Sequence, residues 1–301
     1  MNLELARVFC NIAERKSILQ GAAASHISQP LASQDVRRLE EELGVQLLDR
    51  STRPLRLTPA GTLCYAEFRR VLRLYDSLIN RLQSPDGQVA GTVRVAAIYS
   101  IGLHGLGNAM QEFLKSCSKA KVQLEYLRPH EVYDAVRDGK ADLGIVSYPV
   151  ARSDLGVIPL RSEKMVFVCH PDHPLAGAAS IPLPSLDGED FVGFDRDLPI
   201  RKAIDDCLRE HSASVRIVME FDNIETIKHA VEIGAGVSLL PEPTVCRETR
   251  TGILAVASLT GCELRRPVGV IHQERLVFTP AMIRFVELLE KAEVQSLAEA
   301  G

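Results

Sequence analysis

The hydrophobic pattern of this chain changes character once, at residues 84–91 (SPDGQVAG), and that break constrains the fold more than any other feature. Serine, proline, aspartate and two glycines in eight residues mark a linker. Ahead of it, nearly every apolar repeat has helical spacing; beyond it, short apolar runs alternate with helical stretches. A helical head and an α/β body follow, and 301 residues suffice for two or three domains with real cores.

Within the head, Leu5, Val8, Phe9 and Ile12 form one apolar stripe. Ser17-Ile18-Leu19-Gln20 has capping-box spacing, so a second helix starts near Ile18, with Ala22 and Ala23 as its close-packing face. His26 and Ile27 make a turn. Ser28 then caps a third helix that carries Pro30 in its first turn. Ala32, Val36, Leu39 and Leu43 supply its buried stripe, and Gly44 ends it. The opposite face presents Gln29, Ser33, Gln34 and Arg37, the amides, hydroxyl and guanidinium that can bond base edges and phosphate. A short alanine-rich helix set tightly before such a helix is helix-turn-helix geometry.

Residues 47–49 and 54–58 read as two short strands around the loop Arg50-Ser51-Thr52-Arg53. An arginine-bearing hairpin beside a recognition helix makes a wing that can touch backbone or minor groove, with Arg50, Arg53 and Arg56 as its cations. Thr58 and Pro59 open a further helix over 59–83. In it Cys64, Phe68, Val71, Tyr75, Leu78 and Leu82 recur in heptad phase, as a dimer seam requires.

The body alternates strands and helices. Strands are expected at 92–98, 122–127 and 141–147, with a helix through about Ser116 and another around 131–138. A second set follows at 165–170, 191–195, 216–221 and 236–241, with helices near 199–211, 223–234 and 280–292. This order predicts parallel sheets with helices on both faces, in two lobes. The chain is expected to cross between lobes near Leu160–Met165 and to return near Pro267–Ile271. Ser100 and Ser147 follow strands, Asn223 precedes a helix, and Arg201 opens one. Helix starts beyond strand ends are where a small anion binds.

Charge and cysteine usage agree with this division. Residues 1–83 hold 12 Lys+Arg against 9 Asp+Glu, and the remainder 23 against 30, so a mildly basic head precedes an acidic body. Seven scattered cysteines without a CxxC pair read as reduced, mostly buried thiols. His170 and His173, separated by Pro171, read as a surface loop and not a metal site. No dinucleotide, nucleophile-elbow, zinc-protease or phosphate-loop motif is present, so neither catalytic residues nor metal ligands are assigned. No apolar run approaches the ~20 residues of a membrane span, and no signal peptide is read; the expected compartment is the cytoplasm. Two other classes compete less well. A solute-binding protein with a merely dimerising head lacks an export signal and gives the polar helix face no use. A small α/β enzyme lacks a catalytic constellation.

The run from Ala22 to Gly61, AAA…HISQP..S…LE..LG..LL.R…LTPAG, resembles the LysR-type transcriptional regulators, as do HPLA at 173–176 and VEIGAGVSLLP at 231–241. The resemblance covers residues 3–290. It implies a winged helix-turn-helix over 1–58, a dimerising linker helix over 59–83 and a hinge over 84–91. An effector domain resembling periplasmic binding proteins then spans 92–301, with lobe I at about 92–160 and 268–301 and lobe II at about 161–267. The implied DNA-facing residues are Ser28, Gln29, Pro30, Ser33, Gln34, Arg37, Arg50, Arg53 and Arg56. Those implied in the interlobe cleft are Ser100, Ile101, Ser147, Arg201 and Asn223. Phe68, Val71, Tyr75, Leu78 and Leu82 fall in the dimerisation seam. Implied partners are double-stranded DNA, a small, anionic metabolite as effector, a second copy in a dimer or tetramer, and RNA polymerase; no cofactor is implied. Leu31-Ala32 reverses the family's usual small-then-large order, Leu48 replaces a common phenylalanine, and Gln34-Asp35 stands where a basic residue and an amide are frequent.

Overall fold

The computed structural model describes residues 2–52, 54–82 and 89–298. Arg53 and most of the expected hinge at 84–91 lie outside the described residues. The chain divides into two compact units, Met1–Gly91 and Thr92–Gly301.

The first unit consists of α1 (Leu3–Arg15), α2 (Ile18–Ala24), α3 (Gln29–Leu43), the hairpin β1 (Leu48–Asp49) and β2 (Arg56–Leu57), and α4 (Pro59–Leu82). Local chemistry sets these boundaries. Asn2, Ser17 and Ser28 cap the first three helices, each side chain accepting a backbone N–H of the first turn. Gly44 ends α3 at φ 70°, a left-handed conformation that glycine adopts without a Cβ clash. Leu5, Val8, Phe9 and Ile12 bury themselves against Ala22, Ala32, Val36 and Leu39.

Two packing expectations change here. Ala23 is exposed and Gly21 faces the core, where an added Cβ would stand 2.5 Å from Ile12 Cα. The backbones of α1 and α2 approach too closely for any side chain. Leu43, at the last position of α3, is likewise exposed.

In the second unit the order is β3 (Ala90–Ala97), α5 (Tyr99–Gly105), α6 (Gly107–Ser116), β4 (Lys119–Tyr126), α7 (Pro129–Arg137), β5 (Leu143–Ser147) and β6 (Leu155–Cys169). Then come β7 (Ser180–Pro182), β8 (Asp190–Phe194), α8 (Pro199–Glu210), β9 (Arg216–Phe221), α9 (Ile224–Glu232), β10 (Ser238–Pro241) and α10 (Cys246–Arg250). β11 (Ala255–Thr260), β12 (Arg265–Gln273) and α11 (Pro280–Ala298) complete it. Lobe I packs Phe113 of α6 edge-on against Phe285 of α11, with ring centroids 5.4 Å apart. Lobe II closes around Phe167, Phe191, Ile204, Ile227 and Leu239.

The sheet is mixed, not parallel throughout. β3 and β5 are parallel, but β12 runs antiparallel to both β5 and β6, and β8 and β9 pair in parallel as a separate two-stranded sheet. The two passages between lobes are extended strands that travel in opposite directions, so they pair as an antiparallel ribbon. Arg161 stands opposite Val268, and Lys164 opposite Arg265. β7, only Ser-Ile-Pro, and β11, with two alanines and a serine among its six residues, carried too little periodicity to be expected.

Candidate functional site

On α3, Gln29, Pro30, Gln34 and Arg37 lie exposed along the N-terminal face, and Ser33 is half-buried among them. Ala32, Val36 and Leu39 on the other side fix the helix to the core, so the polar face is held outward. Ser28 is committed to its cap: its Oγ accepts the Leu31 N–H at 3.4 Å.

The wing is pinned by a residue that the sequence did not single out. Glu40 Oε1 accepts the backbone N–H groups of Leu47 and Leu48 at 2.8 and 3.1 Å. Its Oε2 accepts Arg50 Nη2 at 3.1 Å. Arg50 therefore braces the hairpin to α3, while Arg56 is exposed. An open groove runs between α3 and the wing, lined by Arg37, Gln46, Asp49, Ser51 and Thr58 among others.

Along α4 the heptad stripe splits. Phe68, only 7% exposed, packs into the core of its own chain with its ring edge-on to Phe9, so it does not belong to a free seam. Tyr65 and Leu72 share that inner face. Val71, Leu74, Tyr75, Leu78 and Leu82 form an exposed apolar row, with Leu82 68% exposed. A helix wrapping past one core turns only part of its stripe inward.

In the second unit the strand ends and helix starts converge on one cavity of about 50 Å³. Ser100, Ser147 and Asn223 all line it, together with Tyr99, Arg128, Asp222 and Arg266. The first turns of α7, α8 and α9 contribute Pro129, Pro199 and Ile224, and helix starts present unpaired N–H donors and partial positive charge.

Two expected residues fall elsewhere. Ile101 is fully buried in the core behind Ser100. Arg201 is also buried: its Nε reaches Asp205 at 2.8 Å, and its Nη1 donates to Glu220 and to the Phe194 carbonyl, both at 2.6 Å. Those bonds satisfy the guanidinium inside lobe II, and the Asp205 pair at i, i+4 was the visible signal for it.

Arg266, on the returning strand β12, occupies the place expected of Arg201. It is 1% exposed, its Nε donates to Glu163 Oε2 at 2.7 Å, and its Nη1 donates to Ser100 Oγ at 3.0 Å. Arg161 donates to the other oxygen of Glu163 at 2.8 Å. Two guanidiniums thus share one carboxylate. Burial alone would raise the Glu163 pKa, but Arg266 and Arg161 outweigh it and hold the carboxyl below its ordinary value. Burial pushes Arg266 down from its ordinary value, and Glu163 keeps it charged.

A second arginine closes the cavity. Arg128 of lobe I reaches Asp195 at 3.2 Å and Asp222 at 3.0 Å, both in lobe II. Asn223 is engaged locally, its Oδ1 accepting from Thr226 and its Nδ2 donating to Asp222.

Comparison with known proteins follows this division. Residues 3–62 match the bacterial regulatory helix-turn-helix protein, lysR family, and residues 86–293 match the LysR substrate binding domain. The chain is 28% identical over 290 residues to a probable RuBisCO transcriptional regulator of Synechocystis sp., covering 94% of this chain and 84% of that relative. It is 26% identical over 292 residues to the DNA-binding transcriptional dual regulator OxyR of Escherichia coli, covering 96% and 94%. A full-length OxyR variant from Pseudomonas aeruginosa superposes with a TM-score of 0.78 at 27% identity, covering 97% and 94% of the two chains. Full-length CbnR in complex with its target DNA shares the fold, with a TM-score of 0.65 at 21% identity, covering 97% and 100%.

Proposed function

The chain belongs to the LysR family of DNA-binding transcriptional regulators, and from that premise we propose how its two parts divide the work. It is a regulator and not an enzyme. The exposed N-terminal face of α3 reads base edges through Gln29, Ser33, Gln34 and Arg37, and Arg56 meets the phosphate backbone. Arg53, also expected as a wing cation, lies outside the described residues. The row Val71, Tyr75, Leu78 and Leu82 joins two copies, so paired recognition helices reach successive major grooves. Assembly into tetramers, binding to RNA polymerase and a cytoplasmic site of action complete the reading. Among the described residues no helix is long and apolar enough to cross a membrane.

The cleft takes a small anion. The observation that carries this is the buried Arg266 with Ser100 and Ser147 on a cavity ringed by helix starts. A cavity of about 50 Å³ has room for a compact oxyanion or short carboxylate. Entry of an anion competes with Asp195 and Asp222 for Arg128, so occupancy and the interlobe clasp are linked. A ligand with different affinity for clasped and unclasped lobes shifts their population, and only that difference can reach the DNA-bound dimer. Thermal unfolding of the full chain across a panel of small anions tests this. At least one anion raises the midpoint in the parent, and Ser100→Ala abolishes that rise while leaving ligand-free DNA affinity intact. An equal rise in both proteins places the effector elsewhere.

A further inference from the structure

Outside the cleft and the head, one side-chain cluster carries chemistry that the regulator reading leaves unused. Cys207, near the end of α8, and Cys262, in the turn between β11 and β12, are free thiols whose Sγ atoms lie 2.7 Å apart. That separation is nearer to the roughly 2.05 Å of a sulfur–sulfur bond than to the spacing of two sulfurs held around a metal ion. His211, one turn beyond Cys207, completes the group, with the three potential ligand atoms within 4.8 Å of one another.

The histidine decides between two readings. Its Nδ1 lies 2.9 Å from the Cys207 carbonyl and its Nε2 2.9 Å from the Gly261 carbonyl. Both ring nitrogens are therefore turned to backbone carbonyl oxygens, which can only accept. Engaged by two carbonyls, the ring has no nitrogen directed to a metal between the sulfurs. What remains is two apposed thiols: burial and the contact with Cys262 push the Cys207 thiol up to about 12, which leaves the more exposed Cys262 as the group placed to react first.

We propose that Cys207 and Cys262 form a reversible disulfide by exchange with a small-molecule disulfide, stapling the end of α8 to the start of β12. Cys262, the more exposed thiol, reacts first. Its thiolate attacks one sulfur of the reagent RSSR, forms a mixed disulfide and releases RS⁻. The Cys207 thiolate then attacks the Cys262 sulfur, closes the internal bond and expels the second RS⁻. The protein loses two protons and two electrons, and the reagent ends as two RSH. The staple restrains the turn four residues ahead of Arg266, on the strand that carries that arginine to the cleft. The chemistry stands independently of what fills the cleft.

The full chain is equilibrated in reduced and oxidised glutathione at graded ratios, quenched in acid, alkylated, digested and analysed by mass spectrometry. The expected product is one linked peptide joining Cys207 to Cys262. It rises with the oxidised fraction and reverts in dithiothreitol, while buried Cys10, Cys117 and Cys169 stay individually alkylated. Backbone hydrogen exchange over residues 261–266 slows on oxidation in the parent and is unchanged in Cys262→Ser. The proposal is overturned if the two cysteines remain separately alkylated across the series, or if Cys262 carries glutathione with no linked peptide. It is equally overturned if the purified protein retains stoichiometric zinc that both Cys262→Ser and His211→Ala release.

Discussion

Replacing Glu163 by glutamine removes the charge that two guanidiniums share. Arg266 is 1% exposed and Glu163 5%, so water cannot take over the role of the lost carboxylate. Breaking a buried pair from one side costs about 3–5 kcal/mol, because the partner is left uncompensated. Against a typical total of about 5–15 kcal/mol, that is a large fraction of the body's stability. Replacing both partners, as Glu163→Leu with Arg266→Met, removes the desolvated charges together. Such swaps are often neutral or stabilising, so the double variant should lie within about 1–2 kcal/mol of the parent. Arg161, which also loses Glu163, retains some exposure to water. The assay is guanidinium unfolding followed by tyrosine fluorescence: the chain has no tryptophan, and four of its six tyrosines lie beyond residue 91. The pH dependence has a definite sign. A carboxyl held below its ordinary pKa contributes stability above that ordinary value and loses it as pH falls through the folded value. The gap between parent and Glu163→Gln therefore closes only below about pH 4. A double variant at least as unstable as the single one would refute the reasoning, since the pair would then be a stabilising element and not a site retained for binding.

Two further outcomes follow from the head. Gln29→Ala should weaken binding to a selected operator by about 1–3 kcal/mol for each bidentate bond to a base that it removes, whereas Arg56→Ala should weaken all duplexes alike and lower the salt slope by about 0.9; fluorescence anisotropy on specific and random DNA separates them. Val71→Asp with Leu78→Asp should release monomers in sedimentation, because both side chains lie on the exposed row of α4; an unchanged dimer would assign that row another role.

The head was legible because its signals are local. Ser17, Ser28 and Gly44 set helix ends within a turn of themselves, and Pro30 could only sit where it does. Heptad spacing marked the stripe on α4 but not which part of it faces its own core; that depends on Phe9 of α1, 59 residues before Phe68. In the body, strand ends placed Ser100, Ser147 and Asn223 at one cavity. Arg266 was illegible for the opposite reason. In the run Leu264-Arg265-Arg266-Pro267 it reads as surface charge, and only the pairing of β12 with β6 brings it to Glu163, 103 residues away. Arg201 misleads in sequence because its position at a helix start outweighs its acidic neighbour at i+4. Cys207 and His211 stand at i, i+4 on consecutive turns, a spacing that hints at a pair, but Cys262 enters through the β11–β12 turn, 55 residues beyond Cys207.

Footprinting of the full-length protein on a selected operator, with and without a stabilising small anion, most directly tests the link between cleft and DNA. Two protected half-sites a whole number of helical turns apart, with a protection pattern that changes when the anion is added, are the predicted result. Identical protection at saturating anion would contradict it, because the cleft would then hold a ligand that the DNA-bound dimer does not sense.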